Sequence, residues 1–236
     1  MAEDFFFDFR RSPRSRSICG HRPLRPAAVS LSWASPVSDV PAAGRQELRE
    51  KLRARRRALT PSRRIQGAQA LAGRLLALPF APSEGLVAGY WATDGEIALH
   101  AWQVQLPDRC TYCLPVLRDD GCLGFAPWRP GEALRSNRFG IPEPDVGPDT
   151  LVLAADMSLV VVPLVAFDPR GNRLGMGGGW YDRSFAFRQH QPAPPWLVGA
   201  GFAEQCVDSI EPAHWDVPLD AVCSDAIAFD CRPPAT

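Results

Sequence analysis

The sequence predicts an α/β fold: a single domain on a mainly parallel sheet flanked by helices, with a disordered N-terminal extension. Three observations predict it. The 236 residues are 46% hydrophobic and 22% charged, enough apolar material for one packed core. Strand-like and helix-period segments alternate from about residue 45 onward. Leu159-Val160-Val161-Val162-Pro163-Leu164-Val165-Ala166-Phe167 is uncharged and β-branched, the pattern of a strand buried on both faces.

Each element follows from local pattern. Residues 1–43 are rich in Arg, Ser and Pro without a sustained apolar period, so they are read as disordered or as the product of a misassigned upstream start. Glu3, Asp4 and Asp8 flank Phe5-Phe6-Phe7, unlike a secretory or organellar leader. Over 45–59, Leu48, Leu52 and Leu59 recur on one helical face. Thr60-Pro61 reads as an N-cap followed by Pro at the first helical position. That second helix is expected to turn Ile65, Ala68, Leu71, Leu75 and Leu76 inward and to stop before Pro79. Residues 85–91 read as a strand, Thr93-Asp94-Gly95 as a turn, and Glu96 as the opening of a helix to about Leu106. Strands at 110–117 and 122–128 make a hairpin around Asp119-Asp120-Gly121. A Pro-rich loop carries Phe139-Gly140-Ile141-Pro142-Glu143-Pro144. The central strand at 159–167, a glycine loop, a helix at roughly 180–190, a strand at 196–202 and a last strand near 221–229 complete a domain assigned to 44–230, with a tail at 231–236. In such sheets ligands bind at the carboxyl ends of the strands.

Formal net charge is zero, which argues against a general nucleic-acid partner. No run approaches the length of an apolar membrane span, so no membrane partner is expected. The seven cysteines include Cys110 and Cys113 in one CxxC, with Cys122 nearby. A metal or redox role stands against small apolar side chains in a reducing cytoplasm, and the absence of a paired CxxC favours the second.

The most informative stretch is Gly171-Asn172-Arg173-Leu174-Gly175-Met176-Gly177-Gly178-Gly179-Trp180-Tyr181-Asp182-Arg183. Glycines let backbone N–H groups approach an anion, and a helix starting near Trp180 adds its positive end. Arg173 and Arg183 bracket the loop, and Asp182 stands where a carboxylate can hold Mg²⁺ between phosphates. The loop therefore reads as a phosphate cradle with a metal ligand, or as a merely flexible connection. It matches neither the dinucleotide fingerprint, since Trp180 stands where a glycine is required, nor a Walker loop, since the only lysine is Lys51.

Three other constellations have bland and functional readings. The arginines of 45–57 form a solvated helix face or a phosphate-binding one. Glu96 complements a helix dipole or sits at the mouth of a site with Tyr90 and Trp91. The Phe139 loop is a rigid turn or a platform for a flat ligand.

From Asp168 to Asp182 the glycine block resembles that of the 5-formyltetrahydrofolate cyclo-ligase family, also called 5,10-methenyltetrahydrofolate synthetase. The resemblance covers about residues 45–229. It implies a Rossmann-like domain of the cyclo-ligase and phosphosugar isomerase-like architecture, working as a cytoplasmic monomer on small-molecule substrates. The implied reaction is ATP-dependent closure of 5-formyltetrahydrofolate to 5,10-methenyltetrahydrofolate through a phosphorylated formyl oxygen. The resemblance puts Arg45, Arg49, Arg173, Leu174, Gly175, Met176, Gly177, Gly178, Gly179, Trp180 and Tyr181 around ATP, with Arg173 and Asp182 catalytic. It puts Mg²⁺ on Asp182 and Asp216, and the folate against Trp91, Glu96, Phe139, Met176 and Trp180. His214 is left out, because Trp215 separates it from Asp216. Met176 and Trp180 depart from the arginine or aromatic and the first tyrosine common in relatives. A non-catalytic nucleotide- or folate-binding protein on the same fold is the alternative; a phosphosugar isomerase or acyltransferase lacks an obvious catalytic Glu motif here.

Overall fold

The computed structural model describes residues 44–233, so the reading of residues 1–43 lies outside the described residues. The chain runs α1 (Arg45–Arg57), α2 (Pro61–Leu76), β1 (Glu84–Ala88), α3 (His100–Gln103), β2 (Arg109–Leu117), β3 (Leu123–Pro127), β4 (Leu134–Ser136) and β5 (Pro142–Pro144). It continues with β6 (Leu159–Pro163), β7 (Ala166–Phe167), β8 (Arg173–Leu174), α4 (Trp180–Ser184), β9 (Trp196–Gly201), β10 (Ala221–Ser224) and β11 (Ala228–Asp230).

A seven-stranded sheet has the order β11-β10-β9-β6-β1-β2-β3. Its interior pairs are parallel, and β3 and β11 close the two edges in antiparallel fashion. Alternate side chains of one strand serve opposite faces. Leu159 and Val161 join α2 and α3 through Leu71, Leu75 and Trp102, whereas Val160 and Val162 join Phe125, Phe167 and Phe185 on the other face. Helix α1 packs elsewhere: Leu48 and Leu52 lie against Val165, Ala166, Leu174, Val207 and Ile210.

Four expectations are corrected. The run 159–167 is not one strand. The chain leaves the sheet after Pro163, and Ala166–Phe167 pairs instead with Arg173–Leu174 as a two-stranded ribbon. The carbonyls freed at Leu164 and Val165 accept from Gln205 Nε2 at 2.9 and 3.0 Å, which satisfies them without water. The ribbon turns over Asp168, whose buried carboxylate accepts from the N–H groups of Arg170, Asn172 and Ile210 at 2.9, 3.0 and 2.9 Å. Second, Glu96 opens no helix; α3 is a single turn beginning at His100. Third, the segment at 180–190 is a short α-turn followed by the 3₁₀ stretch Ala186–Gln189, and the segment near 221–229 is a hairpin of β10 and β11. Fourth, Ile65 is exposed, because the inward face of α2 centres on Gly67, Leu71 and Leu75. A Cβ on Gly67 would stand 2.7 Å from the Phe202 ring, so close packing there fixes the helix rotation.

The cysteines are likewise placed by the sheet. Cys110 and Cys113 lie three apart on β2 and so face opposite sides. Both are free, and burial pushes the Cys113 thiol up to about 12. Cys231 and Arg232, expected in the tail, pack back. The Cys231 N–H donates to Asp220 O at 3.0 Å, and the Arg232 guanidinium lies 4.9 Å from the Phe80 ring centre.

Candidate active site

The site gathers at the carboxyl ends of the parallel strands. Loops after β1, β6 and β9 carry Trp91 and Glu96, the glycine block, and Asp216 respectively. The glycine block leaves β8 and enters α4 with Gly177 at φ 95° and Gly179 at φ 66°, both in the left-handed region where side chains are strained.

Helix α1 brings arginines onto this loop. Arg49 Nε donates to Gly175 O at 2.9 Å, and its guanidinium carbon lies 3.8 Å from where a Gly177 Cβ would stand. Arg45 donates to Asp216 Oδ2 at 2.8 Å, while its buried Nε has no partner among the described residues. Burial, then the Arg45 charge, holds the Arg49 guanidinium below its usual range, and Asp216 offsets this only partly. Arg49 on the Gly175 carbonyl thus sets a guanidinium beside the open glycine loop, an arrangement suited to an anion.

Arg173 does not face the loop opening. It is buried, donates to Val217 O, and pairs with Asp182 Oδ1 at 2.5 Å. Val217 N–H donates to the same Asp182 oxygen at 3.1 Å, which draws Asp216 and Asp182 to one place. Each carboxylate keeps one oxygen without a hydrogen-bond partner among the described residues: Asp182 Oδ2 and Asp216 Oδ1. No group of three or more His, Cys, Asp or Glu forms a metal cage among the described residues. This donor set fits a magnesium ion that brings phosphate oxygens and water as its remaining ligands. Gly177, Gly178, Gly179, Asp182, Arg183, Ala186, Gln189 and Trp215 line a cavity of about 420 Å³ beside it.

An aromatic side adjoins the loop. Phe139 and Met176 are 58% and 52% exposed, and Phe139 meets Trp180 edge to face at 6.2 Å. Trp91 stands edge-on to Trp128 at 5.8 Å. The Phe139 turn is rigid: Asn137 Oδ1 accepts from Phe139 N and Ile141 N at 2.9 and 3.1 Å, and buried Glu143 accepts from Leu117 N, Arg135 and Asn137. Glu96 accepts from Thr93 N–H at 3.0 Å across a turn whose Asp94 and Gly95 have φ 50° and 80°. Burial pushes the Glu96 carboxyl up, though the Thr93 N–H and the Arg56 charge pull it back. Buried Arg56 lies 3.8 Å from Glu96 Oε1 and donates to Asp94 O, Asp94 Oδ2 and Leu164 O. Burial also raises the Tyr181 hydroxyl, and the Glu96 charge adds to this.

Of the expected residues, Leu174 turns into the core, so only its backbone is open to a ligand, and Tyr181 is partly buried, stacked on Phe185. Arg56, Asp94, Asp168 and Gln205 were missed. For Arg56 the sequence held a signal, since it continues the spacing of Leu48 and Leu52.

The 5-formyltetrahydrofolate cyclo-ligase family model matches residues 41–225. The chain belongs to this family. It is similar to the 5-formyltetrahydrofolate cyclo-ligase of Haemophilus influenzae, with 35% identity over 179 residues, 74% of this chain and 94% of the relative. Against that of Escherichia coli K12, identity is 36% over 177 residues, 72% of this chain and 94% of the relative. The solved structure of Aquifex aeolicus 5,10-methenyltetrahydrofolate synthetase superposes with a TM-score of 0.69 at 26% identity, covering 82% of this chain and 95% of that one. The cyclo-ligase fold and the site geometry thus coincide in one chain.

Proposed function

We propose that this cyclo-ligase family enzyme closes 5-formyltetrahydrofolate to 5,10-methenyltetrahydrofolate with ATP, at the cleft between α1, the glycine block and the Phe139 turn. The formamide carbon is a weak electrophile and its oxygen a poor leaving group. Transfer of the γ-phosphoryl to that oxygen solves both problems. N10 then attacks the carbon, the oxygen departs with phosphate, and N10 loses its proton. ADP, inorganic phosphate and the methenyl product balance the reaction. No protein nucleophile is needed, so the chain's task is orientation and charge neutralisation.

The supporting observation is that α1 sets Arg49 on the Gly175 carbonyl of the glycine loop and, one turn away, Arg45 on Asp216. In this reading Arg45, Arg49 and the amides of 175–179 hold the phosphates. Arg173 acts one step away by orienting Asp182. Asp182 and Asp216 would hold Mg²⁺, which when bound screens negative charge on the phosphates. Trp91, Phe139, Met176 and Trp180 offer apolar faces to the folate, and Glu96 accepts from its pterin N–H groups. Monomeric function in the cytoplasm belongs to the same proposal. The test is methenyl absorbance with purified protein, ATP, Mg²⁺ and 5-formyltetrahydrofolate. Product formed at equal rate without nucleotide refutes it, as does binding of both ligands without product.

A further inference from the structure

We propose that Arg138 receives the carboxylates of the folate's glutamate tail at the open mouth of the site. The inference rests on the folate assignment above. Arg138 is exposed in the turn between β4 and β5 and makes no hydrogen bond or ion pair among the described residues. Its neighbour Arg135, in contrast, is engaged by Glu143 and Asp145. The Arg138 guanidinium is held by aromatic faces, 5.4 Å from the Phe139 ring centre and 5.0 Å from that of Trp180. Stacking of this kind fixes the plane of the guanidinium and leaves its edge N–H groups open to a planar carboxylate.

The position discriminates between the two anionic substrates. Trp180 carries a second guanidinium, Arg183, at 5.2 Å. Arg183 lines the cavity with Gly177, Gly178, Gly179 and Asp182, whereas Arg138, Phe139 and Trp180 do not line it. Arg138 thus stands with Phe139 against the indole, outside the lining of that cavity. The phosphates already have Arg45 and Arg49. A reduced folate is a flat ring joined through an aminobenzoyl group to glutamate, whose carboxylates are its only full negative charges. With the ring placed as proposed above, its pterin end toward part-buried Glu96 and its aminobenzoyl end against exposed Phe139, the tail would leave past the Phe139 turn. Among the described residues, Arg138 is a cation at the mouth of that site with no hydrogen bond or ion pair, already stacked on two of its aromatic rings.

The experiment is steady-state kinetics of wild type, Arg138→Met and Arg138→Lys with two folates. One is 5-formyltetrahydrofolate; the other is the 5-formyltetrahydropteroyl amide, in which an uncharged carboxamide replaces the glutamate. Arg138→Met should raise KM for the glutamate form about three- to fivefold with kcat unchanged, the loss expected of an exposed charge pair. KM for the amide and for ATP should stay constant, and Arg138→Lys should recover part of the loss. Equal KM increases for both folates would reduce Arg138 to a stacking element and overturn the assignment. A raised KM for ATP would assign the cation to a phosphate and overturn it too. A wild-type protein that makes no methenyl product fails at the earlier step: it refutes the cyclisation reading and the tail assignment with it. An active wild type whose Met variant behaves identically on both folates refutes the tail assignment alone.

Discussion

Asp182→Asn separates the two duties that the structure gives this carboxylate. Asp182 Oδ1 takes the buried Arg173 guanidinium at 2.5 Å and the Val217 N–H at 3.1 Å, while Oδ2 stays open toward the proposed metal. Asparagine keeps one acceptor but removes the charge opposite Arg173, whose other partner, Val217 O, is neutral. The pair is only part-buried, with side chains 7% and 23% exposed, so the loss belongs near the range for a hydrogen bond to a charged group, about 2 kcal/mol. For a domain of this size that corresponds to roughly 4–8 °C in Tm. Replacing both partners, Arg173→Met with Asp182→Asn, leaves no uncompensated buried charge and should restore much of the Tm. Activity should not return with it. The single Asp182→Asn protein, assayed well below its Tm, should need more Mg²⁺ for half-maximal rate and should have a lower kcat, since a hard divalent ion loses an anionic ligand. Arg173→Met alone should lower Tm while shifting the Mg²⁺ curve much less. The assay is rate against Mg²⁺ concentration for the four proteins, beside their thermal melts. A folded Asp182→Asn protein with an unchanged Mg²⁺ curve would refute the metal assignment and leave Asp182 as the partner of Arg173 only.

Three further outcomes follow from the same geometry. Glu96→Gln should weaken folate binding by about 1.5–3 kcal/mol while barely changing ATP binding, measured by calorimetry. Because burial raises the Glu96 carboxyl, its ionised form is disfavoured in the fold; the variant should be no less stable than wild type at pH 7, and any advantage should vanish on acidification below 4.5. Asp94→Asn should behave oppositely. Burial pushes this carboxyl up, but hydrogen bonds from Arg53 and Arg57 and the charges of Arg53 and Arg56 outweigh it and hold it low. Asp94 thus contributes stability above its ordinary value of 3.8, and the Tm gap to the variant should close as pH falls below that value. Asp168→Ala strips an acceptor from the N–H groups of Arg170, Asn172 and Ile210 inside the core and should cost about 3 kcal/mol or more in denaturant unfolding, with Asp168→Asn milder. A loss below about 1 kcal/mol would show that those groups find other partners.

Helices α1 and α2, the β2–β3 hairpin and the strands of the sheet were legible because their signals are local: period, caps and turn residues. The glycine block and its neighbours were legible for the same reason. What the sequence concealed depends on partners far along the chain. The apolar run 159–167 has the composition of one strand, and the distant Gln205 amide on Leu164 O and Val165 O, with Arg56 on Leu164 O, makes leaving the sheet tolerable. The turn signal Asp168-Pro169-Arg170-Gly171-Asn172 was present, but it marks where the ribbon reverses rather than where β6 ends. Glu96 was read as a helix start because an acidic residue after Asp-Gly has that local pattern; its carboxylate instead closes the Thr93 turn. Arg173 was read as a phosphate ligand from its proximity to the glycines. Its burial against Asp182 and Val217 is set by tertiary packing that no local pattern encodes.

In the proposed site, helix α1 would serve two ligands. Leu48, Leu52 and Arg56 recur every fourth residue and form its buried stripe. One position along, Arg45, Arg49, Arg53 and Arg57 recur with the same spacing and so share the adjoining face. Packing of the first stripe against Val165, Leu174, Val207 and Ile210 therefore dictates where the second points. Its first half meets Asp216 and the Gly175 carbonyl; its second half grips Asp94, next to Glu96. The rise of an α-helix puts the ends of that stripe about 18 Å apart. Arg56 adds a contact to Leu164 O, at the point where the chain leaves the sheet toward the glycine block. A shift of α1 would thus move the phosphate arms and the Glu96 turn together. The reaction needs the γ-phosphoryl and the formyl oxygen in fixed register, and a single rod packed by its own apolar stripe supplies it without a protein nucleophile.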